Sequence, residues 1–389
     1  MPDDKTKVEV QAYSGHIFAS CPLFKAVVED SDHDAFTIEG KRLKMALGAV
    51  PDTGLEFEFD GSDTTITVPG RGTQEFQSLD PANWLYWDDT FKKAQEGDPL
   101  VMPSKRLQEA LDYSRQFTSE DESGAPGLCV CENRDGVLYS TDKISACMIT
   151  VDGMAESEMR IHTRDAPAII SFLGSIADSK DDVEILEHEK CIFFRRNDGA
   201  VFGETRFDNQ IPKFKRPPPH DQHTWVLNVK EIQQGIPFLK SGASWEDNRL
   251  RFTRPEEDGP VKISMVNTKG TMSSWDLECV RSEAHENAAP LPTEGFAVAE
   301  QILSRVLKLW NRETIDFGIN VRKDEEGNVK GGYIRFLDNR FMPPAPVEGE
   351  APAEGDAPAE GEVPAEGDAP EVSEEAKGDE YLAIVAWLK

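Results

Sequence analysis

Apolar residues along the chain follow two alternating rhythms. Five times a short extended stretch runs into a segment whose apolar positions recur every three or four residues, the period of an amphipathic helix. The five are FTIEGKRLKMALGAV, LVMPSKRLQEALDYSRQF, IHTRDAPAIISFLGSI, VLNVKEIQQGIPFL and FAVAEQILSRVLKLW. Their anchors Leu43, Leu107, Ala168, Ile232 and Ile302 stand 64, 61, 64 and 70 residues apart, which marks an internal repeat. After each helix come two to four runs that alternate apolar and polar residues and end on turn signals such as Asp-Gly. LEFEFDG, TTITVPG and TQEFQSL follow the first helix; DVEILEH, KCIFFRRNDG and AVFGETRF follow the third. The repeating unit is one helix plus a small antiparallel sheet, an α+β pattern.

One such unit buries too little apolar surface to stand alone, so units are expected to pair into domains. Pairing predicts domains at 1–98, 99–222 and 223–389, with Lys215–Pro219 as the second linker. The first domain is short. Val8–Asp30 supplies strands, but no leading helix precedes them, so one half-unit is expected to be truncated. Near the C-terminus, APVEGEAPAEGDAPAEGEVPAEGDAPEV repeats a six-residue unit about four times. Pro, Gly, Ala and like charges cannot build a core, so 343–380 is expected to be a disordered, solvated tether. Apolar strands flank it, Gly332–Leu337 before and Tyr381–Lys389 after, which predicts an insertion in a hairpin loop. The alternative is a tail with 381–389 as a detached peptide.

Charge changes the picture only once it is sorted by position. The 389 residues carry a formal charge of -30. Thirteen acids and one base, Lys377, lie between Pro343 and Glu380, which leaves -18 on the remainder. A surface this acidic argues against an exterior coated with nucleic acid, yet leaves room for a locally basic channel. No apolar run reaches 18 residues, so no membrane helix is expected. MPDDKTKVEV lacks the apolar core of a signal peptide, and the expected location is the cytoplasm. Six cysteines are too sparse for a disulfide scaffold. Cys129 and Cys131, in GLCVCENRDG, read as core thiols of a reducing compartment.

No catalytic constellation stands above background. Among seven histidines only His220 and His223 are close, in the loop-like PPPHDQH, without the helical spacing of zinc hydrolases. Asp30–Asp34 begins like a calcium loop, but Ala35 stands where Gly is needed and Lys41 where the closing Glu belongs. Neither a P-loop nor a dinucleotide fingerprint is present, and Gly70–Thr73 reads as a hairpin turn. The expectation is a protein without catalytic activity, cofactor or metal. Bases nevertheless recur on or beside the helices: Lys41, Arg42, Lys44; Lys105, Arg106, Arg115; Arg160, Arg164; Lys230, Lys240; Arg305, Lys308, Arg312. They fit the ordinary charged outer face of an amphipathic helix. They equally fit one shared basic surface for phosphate contacts that read no sequence.

The ordered series of elements resembles a DNA sliding clamp, the β clamp of bacterial DNA polymerase III. PSKRLQEALDYSRQF is similar to the helix that opens the family's middle domain. Val137–Asp142 is similar to its strand leading into an "ATDG" turn, with Lys143 in place of the Gly. Asp182–Leu186, Cys191–Phe194 and the run to Gln210–Arg216 resemble its closing strands and "FPDYRR" segment. ITVPGRGTQEFQSLDPANW is similar to the end of the first domain, and IVAWLK stands where the family ends on an apolar strand. The truncated first half-unit, the segment after Gly242 and the acidic insertion depart from the family, as in a phage-encoded or otherwise remote clamp.

The resemblance implies a DNA-clamp fold whose repeated units form a ring, a homo-oligomer with a dimer favoured, encircling double-stranded DNA. It implies that Lys41, Arg42, Lys44, Lys105, Arg106, Arg115, Arg164, Lys230, Lys240, Arg305, Lys308 and Arg312 face DNA. It implies that DNA polymerase and clamp loader dock short apolar peptides into a groove of Thr141, Lys143, Ile144, Ala146, Pro219, Val385, Trp387 and Leu388. The competing reading of those last side chains is that they are core residues only. The competing reading of the whole chain is a β-rich structural or protein-interaction protein, virion-associated, without DNA binding.

Overall fold

The computed structural model describes residues 8–14, 16–23, 37–48, 55–60, 63–78, 87–175, 181–244, 248–256, 258–340 and 379–388. The calcium-like Asp30–Asp34 and nearly all of the acidic insertion lie outside the described residues. The chain divides into two compact units, Met1–Lys105 with Phe172–Arg206, and Arg106–Ser171 with Phe207–Lys389. The expected three-domain division remains a proposal beside this.

The first unit holds β1 (Val8–Ser14), β2 (Ile17–Leu23), α1 (Gly40–Gly48), β3 (Glu56–Phe59), β4 (Asp63–Val68), β5 (Gly72–Gln77), α2 (Trp87–Ala94) and β6 (Leu100–Pro103). From its second segment come β11 (Asp182–His188), β12 (Cys191–Arg196) and β13 (Val201–Thr205). Six strands form one antiparallel sheet in the order β1-β2-β13-β12-β11-β6, and β3-β4-β5 form another. Helix α2 is absent from the sequence-predicted set. Its signals are short but present: Asp88 and Asp89 in the first turn, Lys92 and Lys93 in the last, with Trp87, Phe91 and Ala94 on one face. Trp87 stacks on Phe18 at 5.7 Å and meets Phe193 edge-on at 6.0 Å, closing a core with Leu186 and Val201. Gly203 leaves the space that the Phe193 ring fills, since a Cβ there would lie 2.5 Å from it.

The second unit carries the repeat most plainly. Helix α3 (Ser104–Arg115), most of which belongs to it, is followed by β7 (Val130–Arg134), β8 (Val137–Thr141), β9 (Ser145–Thr150) and β10 (Arg160–His162). After α4 (Ala166–Gly174), the chain returns at β14 (His223–Asn228), which runs straight into α5 (Val229–Gly242). Asn228 caps that helix, its side chain accepting from the amides of Lys230 and Glu231. Then come β15 (Arg249–Thr253), β16 (Val261–Val266), β17 (Met272–Leu277), β18 (Cys279–Ala284), β19 (Phe296–Ala299), α6 (Glu300–Leu309), β20 (Thr314–Lys323), β21 (Val329–Arg340) and β22 (Asp379–Ala386). Nine strands form one sheet, β10-β7-β8-β9-β22-β21-β20-β14-β18, and four form another, β17-β16-β15-β19.

β21 and β22 pair antiparallel from Tyr333↔Ala386 to Arg340↔Asp379, so the acidic stretch connects the two arms of a hairpin. The detached-tail reading is overturned. β22 also pairs along its other side with β9, from Glu380↔Thr150 to Val385↔Ser145, and Leu388 bridges to Ala297 of the four-stranded sheet. Both faces of the strand are covered at Tyr381, Leu382 and Ala383, each at most 1% exposed, which accounts for the apolar run there.

Candidate peptide groove and helix surface

Residues directly opposite one another across a strand ladder share a face, and neighbours along a strand alternate. This rule sorts the candidate groove residues. Thr141 pairs with Ala146, Ala146 with Ile384, Ile384 with Arg335 and Arg335 with Gly318, so these five form one row on one face of the nine-stranded sheet. Val385 pairs with Ser145 and Ile334 on the other face. That second face looks onto the helices. Tyr381 meets Tyr113 of α3 edge-on at 5.3 Å, and Ser140 Oγ donates to the Ser114 carbonyl at 2.7 Å.

Of the predicted groove residues, Thr141, Ala146, Lys143 and Ile144 are therefore brought together. Val385 is buried on the helix side. Trp387 lies there too, half-buried and stacked on Phe296 at 5.0 Å, where Phe252 and Trp225 extend the cluster. Gly332 makes room for it, because a Cβ at that position would stand 2.8 Å from the indole. Leu388 is half-buried and donates its amide to the Ala297 carbonyl at 2.7 Å. The residues that sequence reasoning missed are Ile384 and Ala386, half-buried on the groove side. Alternation from Ala146 would have found them once the β9–β22 register was known.

The β8–β9 turn holds its own shape. Asp142 Oδ1 accepts from the amides of Ile144 (3.0 Å) and Ser145 (2.6 Å) and from Ser145 Oγ (2.9 Å). Lys143 sits at φ 78, the left-handed region that favours the glycine it replaces in the family pattern. Ile144 presents an exposed side chain, 43% accessible, while its carbonyl receives the Ala386 amide.

The segment from Phe207 to Gln222 crosses this face of the sheet. At its start Ile211 donates its amide to the buried Glu132 at 2.8 Å, and Arg134 bonds the Ile211 carbonyl at 2.6 Å. Phe214 meets Tyr139 edge-on at 5.5 Å, and Arg216 pairs with Glu380. At its end Arg335 donates to Asp221 Oδ2 through Nε (3.1 Å) and Nη2 (2.7 Å) and to the Pro218 carbonyl (3.3 Å). Asn320 Nδ2 donates to Asp221 Oδ1 at 2.7 Å. Pro219 is exposed within this stretch, next to the Pro218 contact. His223 Nε2 lies 2.7 Å from the Ala289 carbonyl, and His220 is exposed.

The helix bases differ in their surroundings. In the first unit Lys41, Arg42 and Lys44 are exposed on α1, with Arg42 paired to Glu39 at 2.7 Å, and Lys105 is exposed at the start of α3. In the second unit α5 and α6 run antiparallel. Gln233 donates to the Leu307 carbonyl, and Lys240 pairs with Glu300 at 2.9 Å. Glu300 is 4% exposed and also accepts from Ser304 Oγ, so Lys240 neutralises a buried acid. Arg312 does the same for Asp338, which is fully buried, at 3.2 Å. Arg305 donates to the Gln116 carbonyl at the end of α3, and Arg115 pairs with Asp112. Arg106 is half-buried, and Arg164 and the strand residue Arg160 engage Glu122 and the Asp208 carbonyl, respectively. Lys230 and Lys308 are exposed. Bases are not confined to the helices: Lys213, Lys215 and Arg216 are exposed on the crossing segment.

Cys129 and Cys131 are fully buried and outside any disulfide, and burial, aided by the carboxylates of Glu122 and Asp121, pushes the Cys129 thiol up. No helix of the described residues is long and apolar enough to cross a membrane.

No protein-family model matches the chain, and no match to a curated protein sequence was found. Solved structures do match over its whole length. The DNA polymerase sliding clamp of Bacillus subtilis is similar at TM-score 0.69 and 12% identity, covering 100% of this chain and 89% of the clamp. The DNA polymerase III β subunit of Thermotoga maritima gives 0.68 and 13%, covering 100% and 89%. The sliding clamp of Bartonella birtlesii bound to griselimycin gives 0.70 and 14%, covering 100% and 90%. With its repeated strand-to-helix units and antiparallel sheets, this chain has the fold of the bacterial DNA sliding clamp.

Proposed function

We propose that the chain is a DNA polymerase processivity factor that encircles duplex DNA without reading its sequence and tethers a polymerase. The observation that supports this is the end-to-end match in fold to β clamps. The protein is then no enzyme. It acts in the bacterial cytoplasm, consistent with a phage-encoded clamp working in its host. Tethering raises the polymerase's effective concentration at the primer end and needs no strong DNA contact. Exposed helix bases such as Lys41, Lys44, Lys105, Lys230 and Lys308 supply weak, salt-screened phosphate attraction.

Client peptides from polymerase and clamp loader lie on the groove face, over Ala146, Ile384 and Ala386, with Thr141, Lys143, Ile144 and Pro219 at its rim. Trp387 and Val385 back that surface from the opposite side, and Leu388, past the end of the strand, is fixed by its bridge to Ala297. A ring needs a second copy, and one surface supports that. Phe238 is 58% exposed on α5 against Trp275 at 5.2 Å, and Trp275 lies on β17, the outermost strand of its sheet. A closed dimer would cover it.

Retention on DNA tests the proposal. The protein, loaded with a clamp loader, is expected to stay on circular DNA and to slide off linear DNA of the same sequence. Equal retention on both would count against a clamp. Phe238→Asp is expected to shift the protein to a monomer in sedimentation experiments and to abolish retention.

A further inference from the structure

The segment that borders the groove has no way to join the sheet as a strand. Pro217, Pro218 and Pro219 carry no amide hydrogen, so three successive ladder bonds are impossible there. Its place depends on side-chain catches at its two ends. The first is Glu132 with Arg134 at Ile211. The second is Asp221 with Arg335, and it is tightly built. The two side chains are 12% and 13% exposed, Asn320 occupies the other carboxylate oxygen, and Gln222 exchanges two bonds with the Val321 backbone. Gly318 forms the seat, because a Cβ there would lie 2.2 to 2.6 Å from the Asp221 carboxylate. Between the catches, among the described residues, the Phe214–Tyr139 contact and the half-exposed Arg216–Glu380 pair hold the segment, and such exposed pairs contribute little.

Arg335 is also the ladder partner of Ile384, so the second catch stands beside the groove floor. We infer that Asp221 and Arg335 are positioning residues for peptide recognition. Their ion pair fixes 213–222 as a preformed wall of the groove, and a peptide therefore binds without ordering that wall itself. This rests on the groove reading above.

The test uses Asp221→Asn, which removes the charge of the catch, and Gly318→Ala, which crowds the carboxylate from beneath and leaves both partners intact. Hydrogen exchange on the full-length protein is expected to accelerate at Gln222, whose amide donates to Asn320 Oδ1, in both variants. Phe207–Ile211, held by the first catch, and the nine-stranded sheet are expected to keep their protection. Affinity for griselimycin, the probe, is expected to fall about tenfold in both. Unchanged exchange would show that the pair does not hold the segment. Faster exchange with unchanged affinity would show that the segment is no wall of the site; either result overturns the inference. If the unaltered protein does not bind the probe, the groove reading fails with it, a failure told apart because exchange is read without ligand.

Discussion

The two faces of the nine-stranded sheet are made from the same strands and serve opposite ends. Toward the helices, Phe317, Phe336, Tyr381 and Val385 are at most 1% exposed, and aromatic rings meet edge-on at 5.0 to 5.3 Å. Toward the crossing segment, Ala146, Ile384 and Ala386 are half-buried and the bonds are polar and bidentate. Close packing gives the first face its stability, whereas the second keeps apolar surface partly in water, where a partner gains by covering it. The second face is covered in part, since Met148 and Leu382 on it are 4% and 1% exposed, and it is its Ala146–Ile384–Ala386 end that stays partly in water.

Substitutions on the two faces can break this contrast. Phe336→Ala, on the helix side, is expected to cost about 3–5 kcal/mol in urea unfolding; a loss comparable to that of Ile384→Ala would erase the distinction. Arg312→Ala leaves Asp338 buried without its arginine and is expected to cost about 3 kcal/mol. Adding Asp338→Asn should recover much of that, and no recovery would mean that the arginine acts through something other than the carboxylate. On the groove side the effects shrink and change sign. Lys143→Gly is expected to stabilise the protein by about 1 kcal/mol by relieving the left-handed backbone, read as a higher unfolding midpoint. Ile144→Ser is expected to move stability by less than about 0.5 kcal/mol while weakening binding of a short apolar peptide to the proposed groove, measured by calorimetry; unchanged binding would remove Ile144 from it.

How much of this was legible in the chain depends on the range of each interaction. The helices α1, α3, α4, α5 and α6 were legible because amphipathic period is a local property. Helix α2 was overlooked because eight residues give barely two turns of signal, and its place is settled by Trp87 meeting Phe18 and Phe193, far away in the chain. The proposed groove was half legible. Thr141, Lys143, Ile144 and Ala146 came from the resemblance and surround one turn, but Tyr381–Leu388 is apolar on both sides, and a strand without alternation does not declare its faces. Register with β9 assigns Ile384 and Ala386 to the groove and Val385 and Trp387 to the core side.

The helix bases teach the same lesson. By sequence Lys240 and Arg312 resemble Lys230 and Lys308, yet the first two neutralise Glu300 and Asp338 across 60 and 26 residues of chain. By itself, then, the sequence determined the repeated strand–helix units, the acidic hairpin insertion and the turn at Asp142, all written in residues near one another. Only the tertiary structure decided which face each apolar strand residue takes, which bases remain exposed, and where 207–222 lies. Those depend on pairings between distant segments, and with a period of two, a slip of one residue in register would have reversed every face.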